Sequence, residues 1–326
     1  MKPPIPYPLL IAGLALLSLA LAALSMLIGA SGGLGELLAM IASGNADTAT
    51  MIMMEVRLPR TLLALMIGAT LGLAGASLQG YLRNPLADPG VVGVTSAASL
   101  GAVLALYTGI SMAFPLALPM MGIAGALLCA LLLQGLAGKG GVLSLVLAGV
   151  AVSSLCAALM SLALNLSPNP YAAAEIMFWL MGSVTDRSMD HVAFAAPFII
   201  IGWVVLVLSA RALDALSLGE ESAASLGVNL IVTRNLVIGG TAISVGAATS
   251  VSGGIGFIGL VVPHLLRPLV GHSPSRLLLA SALGGAALLL AADILVRVLP
   301  TGMELKLGKP RRLYIHSKVV EITYQQ

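Results

Sequence analysis

The sequence predicts an all-α polytopic membrane protein. Apolar residues make up 59% of its 326 positions and charged residues only 9%, and the mean hydropathy is +1.04. Soluble domains carry about 25% charged residues, so this composition excludes an ordinary soluble globule. Long charge-free runs complete the prediction, because a helix needs roughly 20 apolar residues to cross a bilayer. Lipid offers the backbone no hydrogen-bond partner, so each crossing must be helical or belong to a closed barrel.

The charge-free runs predict about nine helical crossings. Run 89–138 is long enough for two helices and is interrupted near Pro115 and Pro119. Run 235–266 is too long for one crossing and too short for two, so it predicts one span plus a short or broken helix around Gly253–Gly256. The complete set of runs is 3–35, 61–82, 89–138, 140–174, 191–210, 235–266 and 277–292.

The basic residues predict an orientation with the N-terminus in the cytoplasm. Seven of them then face inward and four outward, which agrees with the positive-inside tendency of membrane proteins. The inward set is Lys2, Arg83, Lys139, Arg211, Arg234, Arg267 and Arg276, and the outward set is Arg57, Arg60, Arg187 and Arg297.

Two similar segments, Gly68–Ala76 and Gly239–Ala247, indicate an internal repeat. Their starts are separated by five predicted crossings, and an odd number inverts the second copy, as in many transporters. Chance similarity in a chain rich in glycine and alanine is the alternative. Small residues four apart, such as Gly68 and Gly72, predict close helix packing.

A polar segment, 218–228, interrupts the apolar sequence and falls on the predicted cytoplasmic side. Glu220 and Glu221 would occupy the first turn of a helix, where carboxylates favour the positive end of the helix dipole. Gly227 is placed to end that helix. The small residues Ala223–Ala224 would let one face fit a groove in a soluble partner. An ordinary solvated loop helix is the alternative.

Arg57 and Arg60 lie at the outer mouth of the second predicted span, and Arg297 at the outer end of the ninth. Arginine suits bidentate recognition of carboxylates, so these residues predict an acidic external partner. Snorkelling to the membrane interface is the alternative. Asp293 is four residues before Arg297, a spacing that predicts a helical ion pair.

Two glycine- and proline-rich segments are candidates for gating. Asn84–Gly90 is a turn-rich link between spans. Gly254–Gly259 matches G-x-G-x-x-G but lacks the βαβ context of a dinucleotide site, so a broken helix lining a cavity is the better interpretation. The sequence has no Walker A motif and no nucleophile–base set, so we expect no enzyme activity, no cofactor and no metal site.

Five segments together resemble the FecCD-type permeases, the membrane subunits of bacterial ABC importers for iron-siderophores, haem and cobalamin. The resemblance covers roughly residues 5–308, and the combination of segments is specific although no single one is. The segments are Arg57–Arg60, Asn84–Gly90, Phe178–Ser183, Gly219–Val228 and Gly253–Arg267.

This resemblance implies a homodimer of ten-helix subunits with inverted repeats in a bacterial inner membrane. Two cytoplasmic ATP-binding subunits would hydrolyse ATP, one periplasmic substrate-binding protein would deliver the ligand, and no nucleic acid would take part. The binding protein would dock on Arg57, Arg60 and Arg297, and the candidate gating or pathway residues are Asn84, Pro85, Gly254, Gly256 and Pro263. The ATPase would couple through Gly219, Glu220, Glu221, Ala223, Ala224, Leu226 and Gly227.

The resemblance also implies one transmembrane permease domain, 1–308, with a cytoplasmic coupling segment at 214–232. Where the family continues into a tenth apolar helix, this chain has an atypical polar tail, 309–326. A truncated or frameshifted reading frame would explain the tail, and we expect it to impair function because the tenth helix helps to build the family's subunit interface. The tail region's basic residues are Lys306, Lys309, Arg311, Arg312 and Lys318.

The expected substrate is an iron chelate, a siderophore complex or haem, because segment 300–308 looks more like those members of the family. Cobalamin is an alternative. An ion-coupled secondary transporter is an alternative of a different class, and it would need buried charges within the spans.

Overall fold

A computed structural model describes residues 5–28, 34–114, 116–138, 140–167 and 169–298 of the chain. Within these ranges the secondary structure is helical, without strands. Seven of the described helices are long and apolar enough to cross a membrane. Two shorter apolar helices, Val94–Tyr107 and Ile258–Val270, bring the described set to the nine segments that the sequence predicted.

The helices follow one another through short links. In the first half they are α1 Tyr7–Leu27, α2 Leu34–Ala42, α3 Ala46–Met51, α4 Leu58–Leu82, α5 Val94–Tyr107, α6 Ile110–Ala113, α7 Ala117–Ala137 and α8 Val142–Asn165. In the second half they are α9 Pro170–Leu180, α10 Met189–Leu208, α11 Ala210–Leu216, α12 Glu220–Ser225, α13 Leu230–Ser252, α14 Ile258–Leu266 and α15 Pro274–Val298. A π-helical turn, Ile52–Arg57, joins α3 to α4, and a 3-10 turn, Arg267–Val270, follows α14.

The second span is longer than the sequence predicted. Its helix runs without a break from Ala46 to Leu82, whereas the charge-free run began at residue 61. A helix of 37 residues is roughly 55 Å long, well over the roughly 30 Å of a hydrocarbon core. Arg60 ends the charge-free run, and Arg57 and Glu55 precede it, but charged residues do not disfavour a helix, so the helix continues beyond the run.

The central helices touch along small residues, as the spacing of Gly68 and Gly72 predicted. A Cβ atom on Gly72 would lie 1.9 Å from the carbonyl oxygen of Ser281, and one on Gly68 would lie 2.4 Å from that of Gly285. α4 and α15 therefore pack backbone against backbone, and any larger residue at these positions would force the two helices apart.

A second pair of helices repeats this arrangement. A Cβ atom on Gly246 of α13 would lie 2.5 Å from Cβ of Ala126 in α7, and one on Gly122 would lie 2.7 Å from Cβ of Ser250. α4 and α13 carry the two similar segments found in the sequence, and each packs through small residues on another spanning helix. The recurrence of this pairing is what an internal repeat would produce.

The predicted inward- and outward-facing residues separate to opposite ends of the bundle. Nη1 of Arg234 donates to the carbonyl oxygen of Gly138 at 2.8 Å, so the predicted cytoplasmic ends of α13 and α7 meet. Nη1 of Arg297 donates to the carbonyl oxygen of Ser25 at 2.9 Å at the opposite end. We call these the inner end and the outer end. The sequence predictions for Lys2, Pro115, Lys139, 299–308 and the tail 309–326 fall outside the described residues.

Candidate functional site

The polar segment forms a short helix at the inner end, as predicted. Glu220 and Glu221 lie in the first turn of α12. The helix ends at Ser225, and Gly227 follows its C-cap with a φ of +84°, which suits a residue without a Cβ atom. The Val228 N–H donates to the Ala223 carbonyl at 3.0 Å, and the Gly227 N–H donates to that of Ala224 at 2.9 Å. These bonds form a Schellman motif, which satisfies carbonyl groups that the helix end would otherwise leave free.

The two alanines of α12 face opposite ways. Ala223 is fully buried against the bundle, whereas Ala224 is exposed. Leu218 and Leu226, on either side of the helix, are 66% and 65% exposed. We expected the small residues Ala223 and Ala224 to contact a partner. Ala224 is available for such a contact, whereas Ala223 anchors the helix to the bundle. Exposed leucines beside a polar helix are the pattern of an interaction surface.

An ion pair connects α12 to the inner end of α4. Nη2 of Arg83 lies 3.0 Å from Oε1 of Glu220, and both side chains are partly exposed. Such an exposed pair adds at most about 1 kcal/mol to the free energy of unfolding. Its importance is that it holds α12 beside the inner end of α4. Beside it is a cavity of about 260 Å³, lined among others by Tyr81, Gly141 and Arg234.

The link between α4 and α5 is a pair of turns stabilised by its own side chains. Oδ1 of Asn84 accepts from the Leu86 N–H at 2.9 Å, and Oδ1 of Asp88 accepts from the Gly90 N–H at 2.8 Å. Burial raises the pKa of Asp88, and the bond from Gly90 opposes that shift. Pro85 is exposed at the tip. The predicted turn-rich link is therefore confirmed, and its gating role remains a prediction.

Gln79 lies in the last turn of α4, near the inner end, and was not found from the sequence. Pro263 has no N–H, so the carbonyl of Gly259 lacks its usual partner within α14. Nε2 of Gln79 lies 3.3 Å from this carbonyl and 3.2 Å from that of Leu260. Its Oε1 accepts from Nη2 of Arg267 at 2.6 Å. The fully buried amide thus connects α4 to both ends of the short α14.

A break between α13 and α14 confirms the predicted broken helix. α13 ends at Ser252, and α14 begins at Ile258. A Cβ atom on Gly253 would lie 2.2 Å from the Trp179 carbonyl oxygen, and one on Gly182 would lie 2.5 Å from the Gly254 carbonyl oxygen. The segment that follows α9 therefore packs directly on the break, backbone against backbone.

A cavity of about 290 Å³ opens at this break towards the outer end. Gly254 and Gly256 line it, together with Ser183, Arg60 and Asp293. Irregular backbone at membrane depth is tolerated where it lines a cavity, and broken helices of this kind mark binding sites in transporters. In the adjoining loop, burial lowers the pKa of Arg187, and the carboxylate of Asp186 opposes that shift.

Asp293 lies between Arg60 and Arg297, two of the three arginines that were predicted to dock a partner. Nε and Nη2 of Arg60 donate to its Oδ1 at 2.9 Å and 2.7 Å, and Nε also lies 3.2 Å from Oδ2. Nη2 of Arg297 donates to its Oδ2, which confirms the predicted helical ion pair. The contribution of Arg60 was not predicted, because Arg60 and Asp293 are far apart in the sequence.

The other contacts of the arginines hold the end of α1. Nη1 of Arg57 donates to the Met26 and Leu27 carbonyl oxygens at 2.9 Å and 3.1 Å, and Nη1 of Arg297 donates to that of Ile28 at 2.6 Å. Cations at a helix C-terminus satisfy its free carbonyl groups and its negative dipole end. The three arginines predicted to dock a partner therefore lie together, and each is also bonded within the chain.

A family model described as the FecCD transport family matches residues 14–309. The Fe(3+) dicitrate transport system permease protein FecD of Escherichia coli is 41% identical over 259 residues, 79% of this chain and 80% of that protein. The cobalamin import system permease protein BtuC of Halobacterium salinarum is 39% identical over 261 residues, 79% of this chain and 70% of that protein.

A solved structure shares the fold. It is an inward-facing conformation of a metal-chelate type ABC transporter, with a TM-score of 0.79 and 33% sequence identity. The match covers 89% of this chain and 91% of the solved one. Nearly all the described bundle therefore has a counterpart of known structure.

Proposed function

Because the chain belongs to the FecCD transport family, we propose that it is the membrane-spanning permease subunit of an ATP-driven importer for an iron chelate. The chain is a multi-pass membrane permease of this family and not an enzyme. In the proposal, the chelate passes from a periplasmic binding protein through the bacterial inner membrane into the cytoplasm. The observation that carries the proposal is α12, a capped polar helix with exposed leucines at the end that the basic residues assign to the cytoplasm.

The proposed assembly contains a second copy of the chain, two ATP-binding subunits at α12 and one binding protein at the outer end. ATP binding would close the two ATPase subunits and displace α12. The ion pair between Glu220 and Arg83 offers a mechanical route from that displacement to the link 84–90 and to Gln79 beyond it. Residues Gly254 and Gly256, which line the outer cavity, would then belong to the pathway.

The substrate proposed is a ferric siderophore complex or haem. One relative's name refers to ferric dicitrate and another's to cobalamin, so the relatives support the import of metal chelates as a class more than one ligand. Vesicles containing the complete transporter, supplied in turn with labelled ferric siderophore, haem and cobalamin on matching binding proteins, will distinguish them. Uptake of cobalamin alone would contradict the iron proposal.

An ion-coupled secondary transporter is the competing class, and it needs ionisable groups along its pathway. Among the described residues, Asp293 is the acidic side chain that is buried, and it is paired with two arginines at the outer end. This arrangement leaves the competing class without a relay through the centre of the bundle.

Co-purification with the ATPase subunit tests the proposal. Glu221 is exposed and forms no ion pair within the described ranges, so Glu221→Lys changes the surface of α12 without breaking an internal contact. We expect this variant to lower the amount of ATPase retained by the purified chain at least tenfold. Ala224→Trp should do the same, because a large side chain would fill the exposed face of α12.

Glu175→Lys is the matched control, since Glu175 is an exposed carboxylate on α9 near the outer end. It should retain the ATPase fully. Equal retention by Glu221→Lys, Ala224→Trp and the control would remove α12 from the coupling interface. Transport in vesicles that persists without ATP and collapses with the ion gradient would favour the competing class.

A further inference from the structure

An apolar groove of about 510 Å³ lies on the membrane-facing side of the bundle. α1 and α10 form its walls, and α4 and α15 form its floor. The walls include Leu19 and Val207, which are 64% and 54% exposed and would contact lipid in a membrane. None of the contacts assigned above to substrate, binding protein or ATPase lies in this groove.

The groove is a consequence of the close packing described above. α4 and α15 approach through glycine and serine, and the floor beside that contact is made of Ala69, Ala282 and Ala286. Leucine side chains of α4 and α15, among them Leu65, Leu73 and Leu279, line the groove beside these alanines. On one wall, Nε1 of Trp203 donates to Oγ1 of Thr70 at 2.9 Å, which fixes the position of the indole.

The depth of the groove matches one leaflet of a bilayer. Its lining on α15 extends from Ser275, in the first turn, to Ala286. At 1.5 Å per residue this segment is roughly 16 Å long. Half of a hydrocarbon core is about 15 Å thick. The groove thus begins at the inner end and stops near the middle of the membrane.

Two arginines adjoin lining residues at the inner end of the groove. Arg211 directly follows Ala210, and Arg276 directly follows Ser275, where both Ala210 and Ser275 line the groove. Both arginine residues are exposed, and neither forms an ion pair within the described part of the chain. The guanidinium of Arg276 lies 5.5 Å from the ring centroid of Tyr7, so the charge is held at the end of α1.

The nearby carboxylate, Asp214, is already engaged. Its Oδ1 accepts from the Ser275 N–H at 2.9 Å, which caps the start of α15. With one carboxylate and two guanidiniums, the inner end of the groove keeps a net positive charge. Basic pockets between spanning helices on the cytoplasmic side are suited to anionic lipid headgroups.

We propose that this groove binds one anionic phospholipid of the cytoplasmic leaflet. One acyl chain lies between α1 and α10, and the phosphate contacts Arg211 and Arg276. The proposal rests on the proposed function only for the statement that the inner end is cytoplasmic. A net negative headgroup is preferred to a zwitterionic one because the inner end of the groove carries uncompensated positive charge.

Native mass spectrometry of the full chain in detergent tests this proposal, with phosphatidylglycerol and phosphatidylethanolamine added in equal amounts. We expect about one phosphatidylglycerol per chain, preferred about tenfold. The double variant Arg211→Ala/Arg276→Ala should reduce this preference to about twofold or less. Ala282→Phe, which places a ring on the floor of the groove, should lower retention of both lipids at least fivefold.

Matched controls separate the groove from general effects. Arg83→Ala removes a different inner-end arginine, and Ala151→Phe adds a ring to an exposed position on α8. Both should retain phosphatidylglycerol as the unaltered chain does. Melting temperatures of all variants establish whether they fold. If Ala282→Phe does not fold, the double variant Arg211→Ala/Arg276→Ala still decides the test.

Several results would overturn the proposal. They are equal retention of the two lipids by the unaltered chain, unchanged retention by both groove variants, and occupation of the groove by detergent only. If a second copy of the chain covers the groove instead, the unaltered chain will carry no bound lipid and Ala282→Phe will lose the dimer. These measurements need neither ATPase nor binding protein, so their failure is distinct from failure of the proposed transport function.

Discussion

At the scale of single residues, the outer arginines show how one set of side chains can have two roles. Arg60 and Arg297 neutralise Asp293, and Arg57 and Arg297 hold the C-terminus of α1. Their side chains are nearly buried, and Arg60, 13% exposed, is the more accessible member of the Asp293 cluster. A binding protein with acidic residues would therefore compete with Asp293 for Arg60.

Charge reversal at Arg57 and Arg60 is expected to weaken docking of the binding protein. Since Arg57 also holds α1, Arg60→Glu is the sharper variant, and we expect it to lower the docking affinity at least tenfold at low salt. Asp293→Asn should leave docking intact or strengthen it, because it releases Arg60 from its internal partner. Affinity can be measured by surface plasmon resonance on the reconstituted chain.

Arg187→Glu is a control on the same side of the membrane, outside the cluster of Asp293 and its arginines. Docking affinities at low salt that do not change in Arg60→Glu would refute the docking role. A lowered melting temperature in that case would assign Arg60 to stability alone.

At the scale of helices, the break between α13 and α14 depends on one glycine. Gly253 has a φ of +74°, and a Cβ atom there would meet the Trp179 carbonyl oxygen at 2.2 Å. With its ψ of −173°, this backbone conformation is essentially restricted to glycine and costs another residue about 1–3 kcal/mol. We expect Gly253→Ala to lower the melting temperature by roughly 5 °C or more and to reduce transport strongly.

The same segment provides its own control. Gly256 has open space around the position of a Cβ atom and no left-handed backbone, so Gly256→Ala should melt within about 1 °C of the unaltered chain. Differential scanning fluorimetry of the two variants compares them directly. Equal melting temperatures would show that the contact with Trp179 can relax without cost.

The sequence predicted elements whose cause is local and missed those whose cause is tertiary. Hydropathy located the spans, and α12 was recognised from its first-turn glutamates and Gly227. Gln79 was missed because its partners, Gly259 and Arg267, are about 180 residues away along the chain. Two signals were nevertheless present in the sequence. Gln79 is a single amide in an apolar span, and Pro263 leaves a carbonyl group without its usual partner.

At the scale of the whole molecule, the described bundle carries α12 at its inner end, the break between α13 and α14, and the cluster of Asp293 and its arginines at its outer end. The hypothesis that the polar tail 309–326 impairs function remains to be tested. Replacing it with an apolar helix of about 20 residues is expected to increase both the dimer fraction and the transport rate in vesicles. A polar replacement of equal length is the control, and no gain from the apolar helix would contradict the hypothesis.

The contacts of α1 have a consequence for biosynthesis. Arg57 bonds the carbonyl oxygens of Met26 and Leu27 and is synthesised soon after α1. Arg297, which bonds those of Ser25 and Ile28, is synthesised 272 residues after Ser25. During translation α1 can therefore pack on α4 early, whereas its contacts with the bundle are complete only when α15 has been inserted.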